Sequence, residues 1–212
     1  MSGPEPATTP PPEAPPPSGA QGAPAPPPPT AWTAPPPGPS KDAGPAPGVS
    51  YADLGIRMVA YIVDVIVVGI LFFVIGGIII GVLASIGGFA SFVLGLVFLF
   101  AFNAAFSAIY FIYSWTNLRG SPGQRVLSLE TVNAADGKTL TQPQAIRRWL
   151  VLFGPFVLLS ALQLVVGYGV GTLLSLVSLG YLIYLLYTTN QDPKRQGFHD
   201  HYAETVVVKR GA

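Results

Sequence analysis

The sequence predicts an all-α integral membrane domain: four transmembrane helices arranged as two hairpins, with a small cytoplasmic β element. Three observations predict it. Only 10% of the 212 residues are charged and 50% are hydrophobic, whereas soluble chains carry roughly 25% charged residues. The apolar residues gather into four runs, about 55–84, 89–115, 149–166 and 171–188, and a membrane span needs about 20 residues. None of the 11 Lys and Arg lies in the short links 85–88 and 167–170. Such tight, uncharged links join antiparallel neighbours, hence two hairpins.

Charge placement predicts the orientation. Arg119, Arg125, Lys138, Arg147 and Arg148 fall between spans two and three. Lys194, Arg195, Lys209 and Arg210 follow span four, and Lys41 and Arg57 precede or open span one. With four spans, all of these lie on one side. The positive-inside rule makes that side cytoplasmic, with both termini inside.

The chain opens on a different composition. Residues 1–50 hold 19 of the 23 prolines. Proline lacks the amide hydrogen and fixes φ, so this stretch is expected to be a disordered, polyproline-II-biased cytoplasmic tail. It serves either as a solvated spacer or as a docking site for a protein partner. Residues 51–210 form the transmembrane domain.

Within span one, the stretch from Met58 to Ala84 holds Asp64 as its one charged residue. A carboxylate at such a depth costs about 3 kcal/mol on insertion scales, so it faces protein or water. Arg57 stands seven residues earlier, about 10 Å along the same helix face. On span two, Asn103, Ser107 and Tyr110 share one face through i, i+4, i+7 spacing. Counting rise per residue brings Ser107 and Tyr110 to the depth of Asp64, and Tyr181 and Tyr184 on span four to a similar one. These residues either line a polar path with Asp64 or supply interhelical hydrogen bonds and interfacial aromatics. Gly77 and Gly81 form a GxxxG pair, a helix-packing candidate.

The segment 116–148 carries local signals. Ser121-Pro122-Gly123 is turn chemistry. Residues 126–132 are β-rich, and Asp136-Gly137 is a hairpin turn leading to residues 138–140. Thr141 with Gln144 makes a capping box, with Pro143 in the first turn, so span three is expected to begin as a helix near Pro143. Residues 204–208 read as another strand, able to pair with 126–132.

Three pieces together resemble one family. They are Arg57 with Asp64, the Ser121–Val132 block followed by Asp136-Gly137, and the stretch from His199-Asp200-His201 to Val208. In this order and spacing the chain resembles the RDD family of bacterial membrane proteins, named for one arginine and two aspartates. By motif match these are Arg57, Asp64 and Asp200. His201 and Tyr202 stand where many members carry apolar residues, and Gln124 where a lysine is common. The Pro-rich tail is similar to that of actinobacterial proline-rich antigens. The resemblance implies a multi-pass protein of the bacterial cell membrane. It implies transport of an unidentified ligand, with cation/proton exchange suggested for some members.

Two readings of Asp64 stand side by side. It is a proton- or cation-binding carboxylate, or it forms a structural ion pair with Arg57, Arg147 or Arg148. Asp200 is expected to pair with a basic residue such as Arg57 or Arg125. His199 and His201 would share a strand face, but a metal site needs three or four ligands. No metal and no other cofactor is therefore expected. Motifs of metalloproteases, nucleophile elbows and phosphate loops are missing, so an enzyme is not expected. A nucleic-acid partner is not expected either, since topology explains the basic residues. The sequence thus points to a small transporter centred on Asp64 in the lipid bilayer. Four spans make a thin wall for a path, so a transporter also predicts a homo-oligomer. The alternative is a membrane adaptor that recruits partners through its tail and cytoplasmic loops.

Overall fold

The computed structural model describes Gly3 and residues 44–46, 48–166 and 168–210. Nine elements follow in order: β1 (Val49–Tyr51), α1 (Leu54–Ile86), α2 (Phe89–Asn117), α3 (Pro122–Val126), β2 (Leu129–Asn133), α4 (Gln142–Gln163), α5 (Tyr168–Gln191), α6 (Phe198–Ala203) and β3 (Thr205–Arg210). Helices α1, α2, α4 and α5 are long and apolar enough to cross a membrane.

The helices are apolar nearly all round, as lipid-facing helices must be. On α1 only Ala60, Asp64 and Gly76 are buried, while Phe73, Ile78 and Val82 lie on the open surface. Helix α1 packs on α2, α2 on α4 and α4 on α5, and α5 touches α1 only sparsely. The turn between α1 and α2 is only Gly87-Gly88, at φ 75° and 87°. Side chains rarely adopt this left-handed backbone, and glycine does so freely. The close helix approach uses Gly76 against Leu99, and Gly95 against Leu83 and Ile80. Gly77 and Gly81 face open space instead, so the GxxxG pair is not a packing face among the described residues.

Helix α4 starts where the capping box places it. Gln144 Oε1 accepts the Thr141 N–H at 3.0 Å, and Arg147 and Arg148 fall in its second turn. Pro155 sits inside this helix and leaves the carbonyl four residues back without its amide donor. That carbonyl belongs to Val151, and the Tyr181 hydroxyl on α5 donates to it. Tyr181 thereby repairs a helix break and ties α5 to α4. Tyr181→Phe is expected to cost about 1 kcal/mol, the net worth of one hydrogen bond whose acceptor is half-buried. Thermal unfolding in detergent measures it, and a second change, Pro155→Ala, should restore most of the loss.

At one end of the bundle lies a three-stranded antiparallel sheet in the order β1-β3-β2. Thr131 pairs with Val207 and Tyr51 with Val208. Alternation along β3 sends Val207 toward Ala60 and Leu129, with Ile56 packed alongside. Val206 and Val208 point the other way, onto Val132, Val49 and Tyr51. Both faces of β3 are covered, which is why its sequence is a continuous valine run rather than an alternating one.

Three expectations need correction. Residues 49 and 50 belong to the sheet rather than to the tail; most of the Pro-rich segment falls outside the described residues. Val126 ends helix α3, because Ser121 and Gln124 cap a helical turn: Gln124 Oε1 accepts the Ser121 N–H at 3.0 Å. Residues 199–201 are helical rather than extended, because Asp200 reaches back to the Gly197 N–H at 3.2 Å, as an acidic third residue does at a helix start.

Candidate functional site

Two buried polar clusters lie where α1 meets the sheet end of the bundle. The first is built on Asp200, whose side chain is fully buried. Arg57 from α1 lies 2.5 Å from it, and Arg148 from α4 also binds it. The Thr205 hydroxyl donates to it at 3.2 Å. Arg57 also donates to the carbonyl of Arg195, and Arg148 to Thr205 Oγ1 at 2.6 Å. The Arg148 guanidinium stands 5.0 Å over the Trp115 ring. Taking a carboxylate and two guanidiniums out of water is costly, and close pairing is what offsets it.

Burial alone would raise the Asp200 carboxyl. The Arg148 and Arg57 guanidiniums outweigh burial and hold it well below the usual carboxylate range. His199, also buried, is pushed the other way from charge. Burial lowers its imidazole; the Asp200 carboxylate opposes, the two guanidiniums add to burial, and the result is about 3. His199 is therefore neutral at neutral pH. The unfolded chain takes up a proton below about 6.5 that the folded chain refuses. The stability at stake is full above that pH and drains away as pH falls toward 3. The slope from one such group reaches about 1.4 kcal/mol per pH unit. Asp200 adds its own loss only below the ordinary carboxylate value of 3.8. His199→Gln is expected to flatten the fall in melting temperature between about pH 6.5 and pH 4. An equally steep fall in the variant would place the acid sensitivity elsewhere.

The second cluster is built on Asp64, 2% exposed. Three groups donate to its carboxylate: the Tyr110 hydroxyl at 2.9 Å, the Gly123 N–H at 2.8 Å and the Ser121 hydroxyl. Among the described residues no Arg or Lys forms an ion pair with it, so the pairing with Arg57, Arg147 or Arg148 gives way to neutral donors. The Ser121–Gly123 turn reaches Asp64 because Gly123 lies flat against α1. A Cβ on Gly123 would stand 2.2 Å from the Ala60 carbonyl oxygen and 2.9 Å from Asp64 Cγ. Sequence reasoning read these residues as a turn and missed them as ligands of Asp64. The signal was present: Ser121 and Gln124 repeat the spacing of Thr141 and Gln144. Gln124 Oε1 also accepts from Thr131 Oγ1 at 2.9 Å, fastening α3 to β2.

Asp64 lies in the wall between two cavities. One, about 500 Å³, sits at the sheet end and is lined by Arg57, Arg148, His199 and Trp115 among apolar side chains. The other, about 490 Å³, runs deeper between α1, α2 and α4 and includes Asn103, Ser107 and Ser160. Tyr61, Asp64, Phe111, Phe153 and Phe156 line both. Phe153 stacks on Phe111 at 4.7 Å and on Tyr61 at 6.3 Å, so an aromatic partition separates the chambers beside the carboxylate. Asp64, Asn103, Ser107 and Tyr110 are thus brought together. Tyr181 and Tyr184 line neither cavity; Tyr184 packs on Phe198 at the surface. His199 and His201 part company, His201 bonding to Asp192 at 2.9 Å. Arg125 is exposed and takes no part in the Asp200 cluster.

Four apolar helices with a buried Arg–Asp cluster at one end define a multi-pass membrane protein. The sequence profile of the RDD family matches residues 51–204, and the chain belongs to the RDD family. No curated protein and no solved structure matches it.

Proposed function

We propose that this protein is a small proton-coupled carrier, rather than an enzyme, in which Asp64 exchanges the proton. One observation carries the reading. Asp64 lies between two chambers and is held by a shell that suits either protonation state. Hydroxyls donate or accept by rotating, so Tyr110 and Ser121 serve a carboxylate or a carboxylic acid alike. A guanidinium would lock the charged form, and here both arginines, the buried Arg148 and the half-buried Arg57, are committed to Asp200. The basic residues gathered at the sheet end support a cytoplasmic location for that end.

Asp64→Asn keeps the shape and removes the proton site. Proton flux into proteoliposomes should be lost in this variant, with its melting temperature close to wild type. Undiminished flux would sink the reading.

A further inference from the structure

The chamber at the sheet end has an entrance, an apolar wall and a charged floor. Met58 and Ile62 on α1 and Leu182 on α5 line it, and all three are at least 40% exposed. They lie on helices that touch only sparsely, so the mouth opens sideways between α1 and α5, into hydrocarbon. Whatever enters by this route is dissolved in the bilayer. The floor is Arg57, Arg148 and His199. Arg148 Nε, Trp115 Nε1 and His199 Nδ1 are buried with no hydrogen-bond partner among the described residues, and all three side chains line this chamber. Arginine Nε and indole nitrogen only donate, so the floor wants an acceptor. A volume of about 500 Å³ is within the range of small-ligand pockets, which are mostly apolar with a few placed polar groups.

Charge sets the stoichiometry. Two guanidiniums, Arg57 and Arg148, and the Asp64 carboxylate line the chamber, and Asp200 binds both guanidiniums from outside its lining. Around Asp64 the other titratable groups are Tyr61 on α1, Tyr110 on α2 and neutral His199 on α6. Helix α5 brings Thr189 but no charged side chain to this chamber, and Arg125 on α3 is exposed. With Asp64 ionised the chamber is neutral; with Asp64 protonated it carries one uncompensated positive charge. A monoanion and a proton on Asp64 therefore balance each other.

We propose that the chamber takes from the bilayer an acyl-chain amphiphile with one anionic oxygen head, carboxylate or phosphate ester, and that it binds together with a proton on Asp64. The head meets Arg148 and Trp115, and the chain runs out between α1 and α5. The proton half of this proposal rests on the carrier reading above, and the anion half stands without it.

The test uses the full-length protein in phosphatidylcholine nanodiscs. The probes are a fatty acid brominated on the carbon next to the carboxylate, a phosphatidylglycerol whose acyl chains are brominated at the same carbon, and the alcohol of the same brominated chain, so that bromine lies near Trp115 when the head is seated. Bromine quenches indole on contact, and Trp115→Phe gives the background. Saturable quenching by an anionic probe, at least about tenfold tighter than by the alcohol, is expected. The probe that saturates identifies a free fatty acid or a phospholipid as the source. Equal quenching by the alcohol, or none by either anion, overturns the proposal. Ile62→Phe with Leu182→Phe narrows the mouth at lipid-facing positions that folding does not need, and should weaken binding about tenfold; unchanged binding puts the ligand elsewhere. The proton half is read with phosphatidylglycerol, whose phosphodiester head stays anionic throughout. Affinity should rise as pH falls in wild type and be independent of pH in Asp64→Asn. Anion-selective binding with no pH dependence in wild type overturns the proton half and the carrier reading, and leaves the anion site standing.

Discussion

Asp200→Ala is expected to undo the sheet end of the bundle, at a cost of about 3–5 kcal/mol. The change removes the shared counter-ion of Arg57 and Arg148 and leaves their two guanidiniums, Arg148 buried and Arg57 half-buried, without it. It also removes the acceptor of the Gly197 N–H at the start of α6 and of the Thr205 hydroxyl at the start of β3. Thermal unfolding in detergent should show a large fall, with the sheet lost first by hydrogen exchange. Adding Arg148→Met to Asp200→Ala should restore part of the stability, because one unpaired charge goes with it. Strict additivity of the two changes would mean that they are not coupled, against the contact seen here.

Gly123→Ala is expected to be the next most damaging single change, although it adds one methyl group. The new Cβ meets the Ala60 carbonyl at 2.2 Å, and backbone on both sides leaves neither free to yield. Helix α3 must lift away from α1, so Asp64 loses the Gly123 amide and the Ser121 hydroxyl together. Each lost donor to a buried charged group costs about 1–3 kcal/mol. Gly123→Ala should therefore cost more than Ser121→Ala, and the difference should shrink when Asp64 is already Asn. If Gly123→Ala melts like wild type, α3 is not seated on α1 as described.

The four spans were legible because length and composition alone define a membrane helix. Their caps were legible because Thr141 and Gln144 form a local pattern. Their rotation was not. A helix that is apolar on its lipid face and its protein face alike has no periodicity to show which side turns inward, so Tyr181 and Tyr184 were placed with Asp64 by depth alone. Depth was right for Tyr110 and uninformative for Tyr181, whose partner is the carbonyl freed by Pro155. The pairing of charges was also out of reach. Arg57 and Asp64 share a helix face, but Arg57 reaches across to Asp200, 143 positions later. Residues 199–201 failed for a different reason: at six residues α6 is too short for a period, and its one local signal is Asp200 itself.

The central strand of the sheet, β3, is made after every other element described, and so is Asp200. At about 5–20 residues per second, the 143 positions between Arg57 and Asp200 take a ribosome roughly 7–30 s. Through that interval the helices insert while Arg57 waits without its counter-ion; Arg148 joins it for the last 52 positions, and β1 and β2 wait without the strand between them. Closure of the domain thus waits for the segment that carries Asp200 and β3. A chain stalled before that segment carries two exposed cationic side chains at the membrane and two unpaired strand edges, which mark it chemically as incomplete.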